Sequence, residues 1–164
     1  MHTPMRLAVI SDTHLSGPDE AFQTLYDAHL APATFLLHCG DMVGASVYHY
    51  LCRHPRFLCV RGNCDHFELD HDLPLTLSRE LEIPGGGSLA LGMAHGWGQR
   101  DSVWRRVFDA LPGHRLLCYG HTHRRHWEQH QGVWLLNPGS VAEGSMALVD
   151  VAQDGTLDCT FVDL

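Results

Sequence analysis

Side chains that can bind divalent metal ions occur in five short groups along the chain. In order, the groups are Asp12-Thr13-His14, Gly40-Asp41, Gly62-Asn63-Cys64-Asp65, His95-Gly96 and Gly120-His121-Thr122-His123. Carboxylates supply hard anionic oxygens, and neutral imidazole suits Zn, Fe, Ni, Mn or Co. Two cations about 3.5–4 Å apart need a shared ligand, and a carboxylate such as Asp41 can bridge them. These residue types therefore predict a site for two divalent metal ions.

Each group taken alone has a simpler explanation. The first could be a helix N-cap followed by a turn, the second a common turn, and the last a pair of solvated histidines. In an extended segment, residues i and i+2 point to the same side, so Asp12 with His14, and His121 with His123, can each face one site. The five groups together, each following a predicted strand, favour a metal centre.

Apolar runs before these groups predict the elements that position them. The predicted strands are residues 6–11, 34–38, 56–61, 75–83, 88–93, 115–119 and 133–136. Helical spacing predicts helices over residues 19–30, 43–53 and 101–111. The alternation in the first half indicates β-α-β units with parallel pairing, and the second half is rich in strands, with a hairpin turn at Asp154-Gly155. Sites in open α/β sheets lie beyond the carboxyl ends of the strands.

Composition narrows the classes of protein. Apolar residues make up 45% of the 164 residues, and no apolar run approaches the ~20 residues that span a bilayer. With no secretory signal pattern at the start, we expect one domain over residues 1–164, in the cytoplasm and not in a membrane. The six cysteines form no C-x-x-C pair, which fits reduced thiols.

The net charge and the absence of lysine exclude further classes of protein. The formal net charge of −8 makes a general nucleic-acid binder an unfavourable interpretation, because such binding depends on a positive surface. All 11 basic residues are arginines, so the chain has no lysine for a P-loop or for Schiff-base chemistry.

The order D-x-H, G-D, G-N-x-D, H-G and G-H-T-H resembles the signature of the calcineurin-like metallophosphoesterases. Within that family the chain is similar to the small prokaryotic YfcE-type phosphodiesterases, which share the cysteine after the asparagine and a segment like Asn137-Pro138-Gly139-Ser140. The resemblance runs from residue 6 to about residue 140. It implies an α/β fold, a four-layer α/β/β/α sandwich of two mixed β-sheets flanked by helices.

The resemblance also implies which residues hold the ions. The first ion would take Asp12, His14, Asp41 and His123. The second would take Asp41, Asn63, His95 and His121. We expect two divalent ions, Mn first and Ni, Fe, Co or Zn as alternatives, because this ligand mixture accepts several metals. A hydroxide bridging the two ions would then attack phosphorus in line with the leaving oxygen.

Other roles follow from position in the motifs. We place Asn63, Cys64, Asp65 and His95 at the reaction centre, and we expect Asn63 and Arg124 to contact substrate. Larger family members carry a histidine as candidate acid where this chain has Cys64, a weak proton donor whose other interpretation is packing. His66 is the fallback acid. Arg124 and Arg125 can grip phosphate or simply form a solvated turn, and Trp97 is a candidate for the pocket mouth.

Several functions remain open on sequence grounds. A phosphodiesterase acting on a small-molecule phosphate ester comes first, and a phosphomonoesterase or nucleotide pyrophosphohydrolase would use the same ligands. A protein-binding scaffold on the same fold, as in the retromer subunit of this family, could lose ligands without penalty, yet all seven positions hold competent ones. A redox or storage metalloprotein fits the bridging aspartate less well. The small relatives tend to self-associate, so we expect a homo-oligomer, a dimer or larger.

Overall fold

The computed structural model of the chain describes residues 4–65 and 73–164. Within them, ten strands form two five-stranded sheets. The strands are β1 (Met5–Ile10), β2 (Phe35–His38), β3 (Phe57–Cys59), β4 (Thr76–Glu82), β5 (Ser88–Ala94), β6 (Leu116–Cys118), β7 (Arg125–His130), β8 (Val133–Pro138), β9 (Ser145–Val151) and β10 (Leu157–Asp163). The helices are α1 (Glu20–Leu25), α2 (Ala45–Leu51) and α3 (Val103–Ala110).

Both sheets are mixed. The first has the order β10-β9-β1-β2-β3, in which β1, β2 and β3 run parallel and β9 pairs antiparallel with both β1 and β10. The second has the order β4-β5-β6-β8-β7, with β5, β6 and β8 parallel and the two edge strands antiparallel. The central strands of each sheet are therefore parallel, and their carboxyl ends lie at the same edge of the sheet. The predicted ligand groups follow these ends, so they can meet only at that edge.

The central strands are apolar throughout because they are buried on both faces. In β1, Leu7 and Val9 pack into the core between the two sheets, whereas Ala8 and Ile10 pack against the helices outside the first sheet. A third core lies between the second sheet and α3 and includes Val103. The four-layer α/β/β/α sandwich implied by the resemblance is confirmed.

Helix bounds depart from the sequence prediction in informative ways. Helix α1 begins after Asp19, whose carboxylate accepts from the Phe22 N–H at 2.8 Å, and it passes at Tyr26–Leu30 into a π-helical turn. Helix α2 begins at Ala45 rather than at Val43, because Val43 has a positive φ of 83° and forms a bridge with Leu15. The Asp154-Gly155 turn joins β9 to β10, as predicted.

Candidate metal centre

The five ligand groups converge at the shared edge of the two sheets. Each follows the carboxyl end of a parallel strand: β1, β2 and β3 in one sheet, β5 and β6 in the other. The donor side chains they carry are Asp12, His14, Asp41, Asn63, His95, His121 and His123.

The backbone of these loops is strained. Positive φ angles occur at Asp12 (54°), His14 (51°), Asp41 (61°), His121 (72°) and His123 (61°). Residues with side chains rarely adopt this region, and such strain clusters at functional sites, where surrounding structure enforces it. The expectation that Asp12 with His14, and His121 with His123, lie in extended segments is therefore wrong. Both members of each pair have left-handed backbone conformations, and these set the direction of their side chains.

The carboxylates of Asp12 and Asp41 lie at the middle of the cluster. Asp12 Oδ1 is 3.3 Å from His123 Nε2, 3.6 Å from His14 Nε2 and 3.9 Å from His95 Nε2. Asp41 Oδ2 is 3.3 Å from His95 Nε2 and 3.6 Å from His14 Nε2. Two donors on one ion, each about 2.1 Å from it, are separated by roughly 3.0–3.4 Å. The observed spacings are therefore close to those of donors that surround a cation.

Three atoms of the cluster are buried without a hydrogen-bond partner among the described residues: Asp12 Oδ1, His14 Nε2 and His95 Nε2. Leaving one such group unsatisfied costs about 1–3 kcal/mol. All three point toward their common centre, as the distances above show. Divalent cations bound between these donors would satisfy all three, so the donor set fits metal ions.

Neighbouring groups fix the orientation of these donors. The Cys39 carbonyl lies 2.8 Å from His95 Nδ1, and Glu143 Oε2 lies 3.0 Å from His123 Nδ1. A partner at Nδ1 holds the ring with Nε2 turned toward the centre, an arrangement common around metal ligands. Asp12 is held likewise, because its Oδ2 accepts from the Ser11 hydroxyl at 2.6 Å and leaves Oδ1 inward.

Asn63 and His121 form the more exposed side of the cluster. Asn63 Oδ1 lies 3.2 Å from His121 Nδ1, and the His121 ring stands edge-on to His95 with centroids 5.2 Å apart. Burial, followed by the charge of His95, lowers the pKa of His121. Neutral imidazole is the form that binds metal, so this shift favours ligation.

Electrostatics in the cluster reflect two carboxylates sharing a buried space. Burial raises the pKa of Asp12, against the opposing effect of His95. Burial also acts to raise the pKa of Asp41, but His95 and the Cys64 N–H outweigh it and hold that pKa below its usual range. Burial lowers the pKa of His95, and the Asp41 and Asp12 carboxylates more than reverse this. These shifts mean that a positive charge is favoured between Asp12, Asp41 and His95. A bound cation would supply this charge in place of the proton on His95.

Asp65, predicted at the reaction centre, connects two of the ligand loops through hydrogen bonds. Its carboxylate accepts from the backbone N–H groups of Gly62 (2.6 Å), Val43 (3.0 Å) and Asp41 (3.2 Å). It thereby ties the loop after β3 to the loop after β2. A side chain on Gly62 would collide with the backbone and carboxylate of Asp41, so glycine is required there. Asp65 has the contacts of a positioning residue.

Cys64 lies at the rim of the centre. Its backbone N–H donates to Asp41 Oδ1 at 2.7 Å, and its exposed thiol accepts from Asn63 Nδ2 at 3.3 Å. Desolvation and the Asp41 carboxylate raise the pKa of the thiol, which stays protonated near neutral pH. His66, the fallback acid, lies outside the described residues.

The two arginines that follow His123 have partners within the protein. Arg124 pairs with Asp101 at 3.2 Å and lines a pocket beside α3, and its contact with substrate stays a prediction. Arg125 bonds Ser145 and Asp163 and so links β7 to β10. Arg61 lines the groove beside the metal centre. Its position directly before Gly62-Asn63 was the sequence signal for it.

The end of β8 and the residues directly after it hold two ligand loops through their side chains. Asn137 Nδ2 donates to the Gly120 carbonyl (3.0 Å) and to Thr122 Oγ1 (2.9 Å). The Ser140 hydroxyl donates to the Asp12 carbonyl at 2.8 Å. Both side chains are fully buried. The segment thus helps hold the strained backbone on both sides of the cluster.

A groove of about 620 Å³ opens beside His95. Its walls include Arg61, Asn63, Leu75 and Trp97. The volume is that of a small-molecule site.

The chain matches the family model described as the calcineurin-like phosphoesterase superfamily domain over residues 5–154. The chain belongs to this superfamily. The probable metallophosphoesterase YsnB of Bacillus subtilis (strain 168) is 31% identical over 143 residues, covering 84% of this chain and 75% of that protein.

Solved structures with the same fold include Vps29 of Chaetomium thermophilum, with a TM-score of 0.71 at 21% identity over 98% of this chain and 97% of that one. An archaeal phosphodiesterase has a TM-score of 0.66 at 20% identity over 96% and 100% of the two chains. At these identities the likeness concerns the fold alone. Among residues 4–65 and 73–164, no helix of this phosphoesterase-family chain is long and apolar enough to cross a membrane.

Proposed function

We propose that the chain is a metal-dependent phosphodiesterase that uses two divalent ions, manganese first among them. The observation that carries the proposal is the set of buried donors, Asp12 Oδ1, His14 Nε2 and His95 Nε2, that converge without hydrogen-bond partners among the described residues. Membership of the phosphoesterase superfamily supports the reaction class.

The ligand assignment divides the cluster between the two ions. Asp12, His14 and His123, whose donor atoms lie within 4.8 Å of one another, would hold the first. Asn63, His95 and His121 would hold the second. Asp41 would serve both, since its Oδ2 is near His14 and His95 alike.

Bound ions at such a site polarise a phosphoryl oxygen and lower the pKa of water. The remaining tasks belong to the protein. Asp12 and Asp41 offset the cation charge, and the Cys39 and Glu143 oxygens keep His95 and His123 aimed inward. The Cys64 thiol is a poor proton donor to a departing alkoxide, because its pKa is raised. The site therefore favours esters with good leaving groups.

Preference for a diester over a monoester follows from charge. A monoester dianion is best bound by several cationic groups, and among the described residues Arg61 is the one arginine that lines the groove. The fold likeness to an archaeal phosphodiesterase agrees with a diester substrate.

A scaffold role is the competing proposal, and the fold likeness to Vps29 motivates it. The strained ligand loops argue against it. A binding module has no need to keep five donor residues at positive φ angles.

A metal-by-substrate screen separates the two. The protein is stripped with chelator and reloaded singly with Mn²⁺, Ni²⁺, Co²⁺, Fe²⁺ or Zn²⁺, and hydrolysis of paired nitrophenyl mono- and diesters is followed. We expect metal-dependent turnover with the diester preferred. Asp41→Ala, purified in the same way, is the control for contaminating phosphatases and should lose the activity, whereas Asp109→Ala, a change on the exposed face of α3, should keep it. Absence of turnover with every ion would favour the scaffold.

A further inference from the structure

Exposed apolar surface is concentrated at the groove beside the metal centre. Among the described residues, the large apolar side chains that remain exposed are Leu75 (62%), Trp97 (47%) and Leu164 (49%). Two of the three, Leu75 and Trp97, line the same groove as His95 and Asn63. Apolar surface gathered in one concave place marks a binding site more often than scattered surface does.

The backbone that carries Trp97 is held rigidly. Arg106 of α3 donates to the Trp97 carbonyl at 3.1 Å and to the Gln99 carbonyl at 3.2 Å. The glycines on either side have φ angles of 99° (Gly96) and 84° (Gly98). A side chain on Gly96 would meet Val103, and one on Gly98 would meet the Arg106 guanidinium. The Trp97 side chain is therefore half exposed, although hydrogen bonds from α3 hold the main chain of this residue in place.

The groove is lined by two chemically different sets of side chains. Asn63 and His95, which belong to the metal centre, and Arg61 are polar. Leu75 and Trp97 are apolar. A ligand that contacts both sets has an anionic head and a flat apolar body joined by a short link. The groove's small volume and its continuity with the metal centre favour a small molecule over a protein segment.

We propose that Trp97, with Leu75 in the same groove, is a stacking platform that selects phosphate esters carrying a planar aromatic group. The inference rests on the proposed function and specifies its substrate class. Trp97 would act as a specificity-determining residue that binds the aromatic part of the ester. The main-chain contacts keep the residue that carries the ring in place at the groove.

The test compares two non-hydrolysable ligands of equal charge and similar size, phenylphosphonate and cyclohexylphosphonate. Their affinities for the metal-loaded protein are measured by isothermal titration calorimetry in wild type, Trp97→Ala and Trp97→Phe. We expect wild type to prefer the planar ligand by about tenfold, in line with measured stacking on aromatic side chains. Trp97→Ala should bring the ratio near one, and Trp97→Phe should keep most of the preference.

Calorimetry measures binding without turnover, so the stacking platform and the proposed function can be refuted independently. Equal affinities in wild type, or an unchanged ratio in Trp97→Ala, would overturn the platform even if the enzyme hydrolyses diesters. A wild type that prefers phenylphosphonate but hydrolyses no ester with any ion would instead count against the proposed function. Circular dichroism of each variant establishes that the fold is retained.

Discussion

Asp41→Asn is the sharpest perturbation of the metal centre. The substitution preserves the side-chain shape and keeps an oxygen that can accept from the Cys64 N–H, so the fold should survive. It removes the negative charge between His14 and His95, both of which lie within 3.6 Å of Asp41 Oδ2. A shared anionic ligand is thereby lost from both proposed ions.

The magnitude follows from linkage. At a free-ion concentration about 100 times the Kd, each bound ion stabilises the wild type by about 2.7 kcal/mol. For a chain of this length, that raises the Tm by roughly 5–11 °C. If losing the shared carboxylate weakens binding about 100-fold, the same concentration gives only about 0.4 kcal/mol, or roughly 1–2 °C.

The assay is a thermal melt with and without Mn²⁺, paired with metal content by mass spectrometry. Asp101→Asn is the matched control, because it removes a carboxylate that pairs with Arg124 at the surface. That variant should show the wild-type shift. An Asp41→Asn protein with the full wild-type shift and two bound ions would refute the bridging role. A wild type that no ion stabilises would refute the centre itself.

Three further changes test other contacts. Glu143→Gln should weaken metal affinity about 10- to 100-fold in titrations, because His123 loses its charged partner, while the metal-free Tm barely moves. Cys64→His should raise the rate on alkyl relative to aryl diesters by at least about tenfold, since imidazole is the better proton donor. His38, fully buried, has its pKa lowered to about 3 by burial and then by His95. Folding favours its neutral form, so the contribution of His38 to metal-free stability should be full above pH 6.5 and fall by about 2 kcal/mol by pH 5, a loss that His38→Gln should lack.

Each of these has a contrary outcome. Equal metal affinity in Glu143→Gln would mean that His123 needs no partner to hold its orientation. An unchanged ratio of alkyl to aryl rates in Cys64→His would remove the leaving-group argument. Parallel stability curves for wild type and His38→Gln between pH 5 and 6.5, measured by urea unfolding, would show that His38 takes up a proton in the folded state.

Much of the fold and most of the ligand set could be read from the chain alone. Continuous apolar runs such as residues 6–11 identify strands buried on both faces, and the polar groups that follow them mark the strand ends. Both signals are local, because each depends on residues adjacent in sequence. These local signals indicate Gly62, the pair Asp12 and His14, and the pair His121 and His123.

Roles that depend on distant partners were decided by the tertiary structure. Asp65 is a positioning residue because its acceptors meet amides of Asp41 and Val43, 24 and 22 residues earlier. Arg124 forms an ion pair with Asp101 beside α3, and Arg61 lines the groove at the metal centre. No local pattern encodes which loops meet, because the order of strands within each sheet sets those encounters.

The sequence by itself therefore determined the chemistry available: hard oxygen and imidazole donors at the ends of buried strands. Only the folded chain decided the direction of each donor. Left-handed turns at Asp12 and Asp41 and the partners at Nδ1 of His95 and His123 choose which atoms face the centre. The physical reason is that orientation depends on hydrogen bonds between loops far apart in sequence, which exist only once the two sheets have packed.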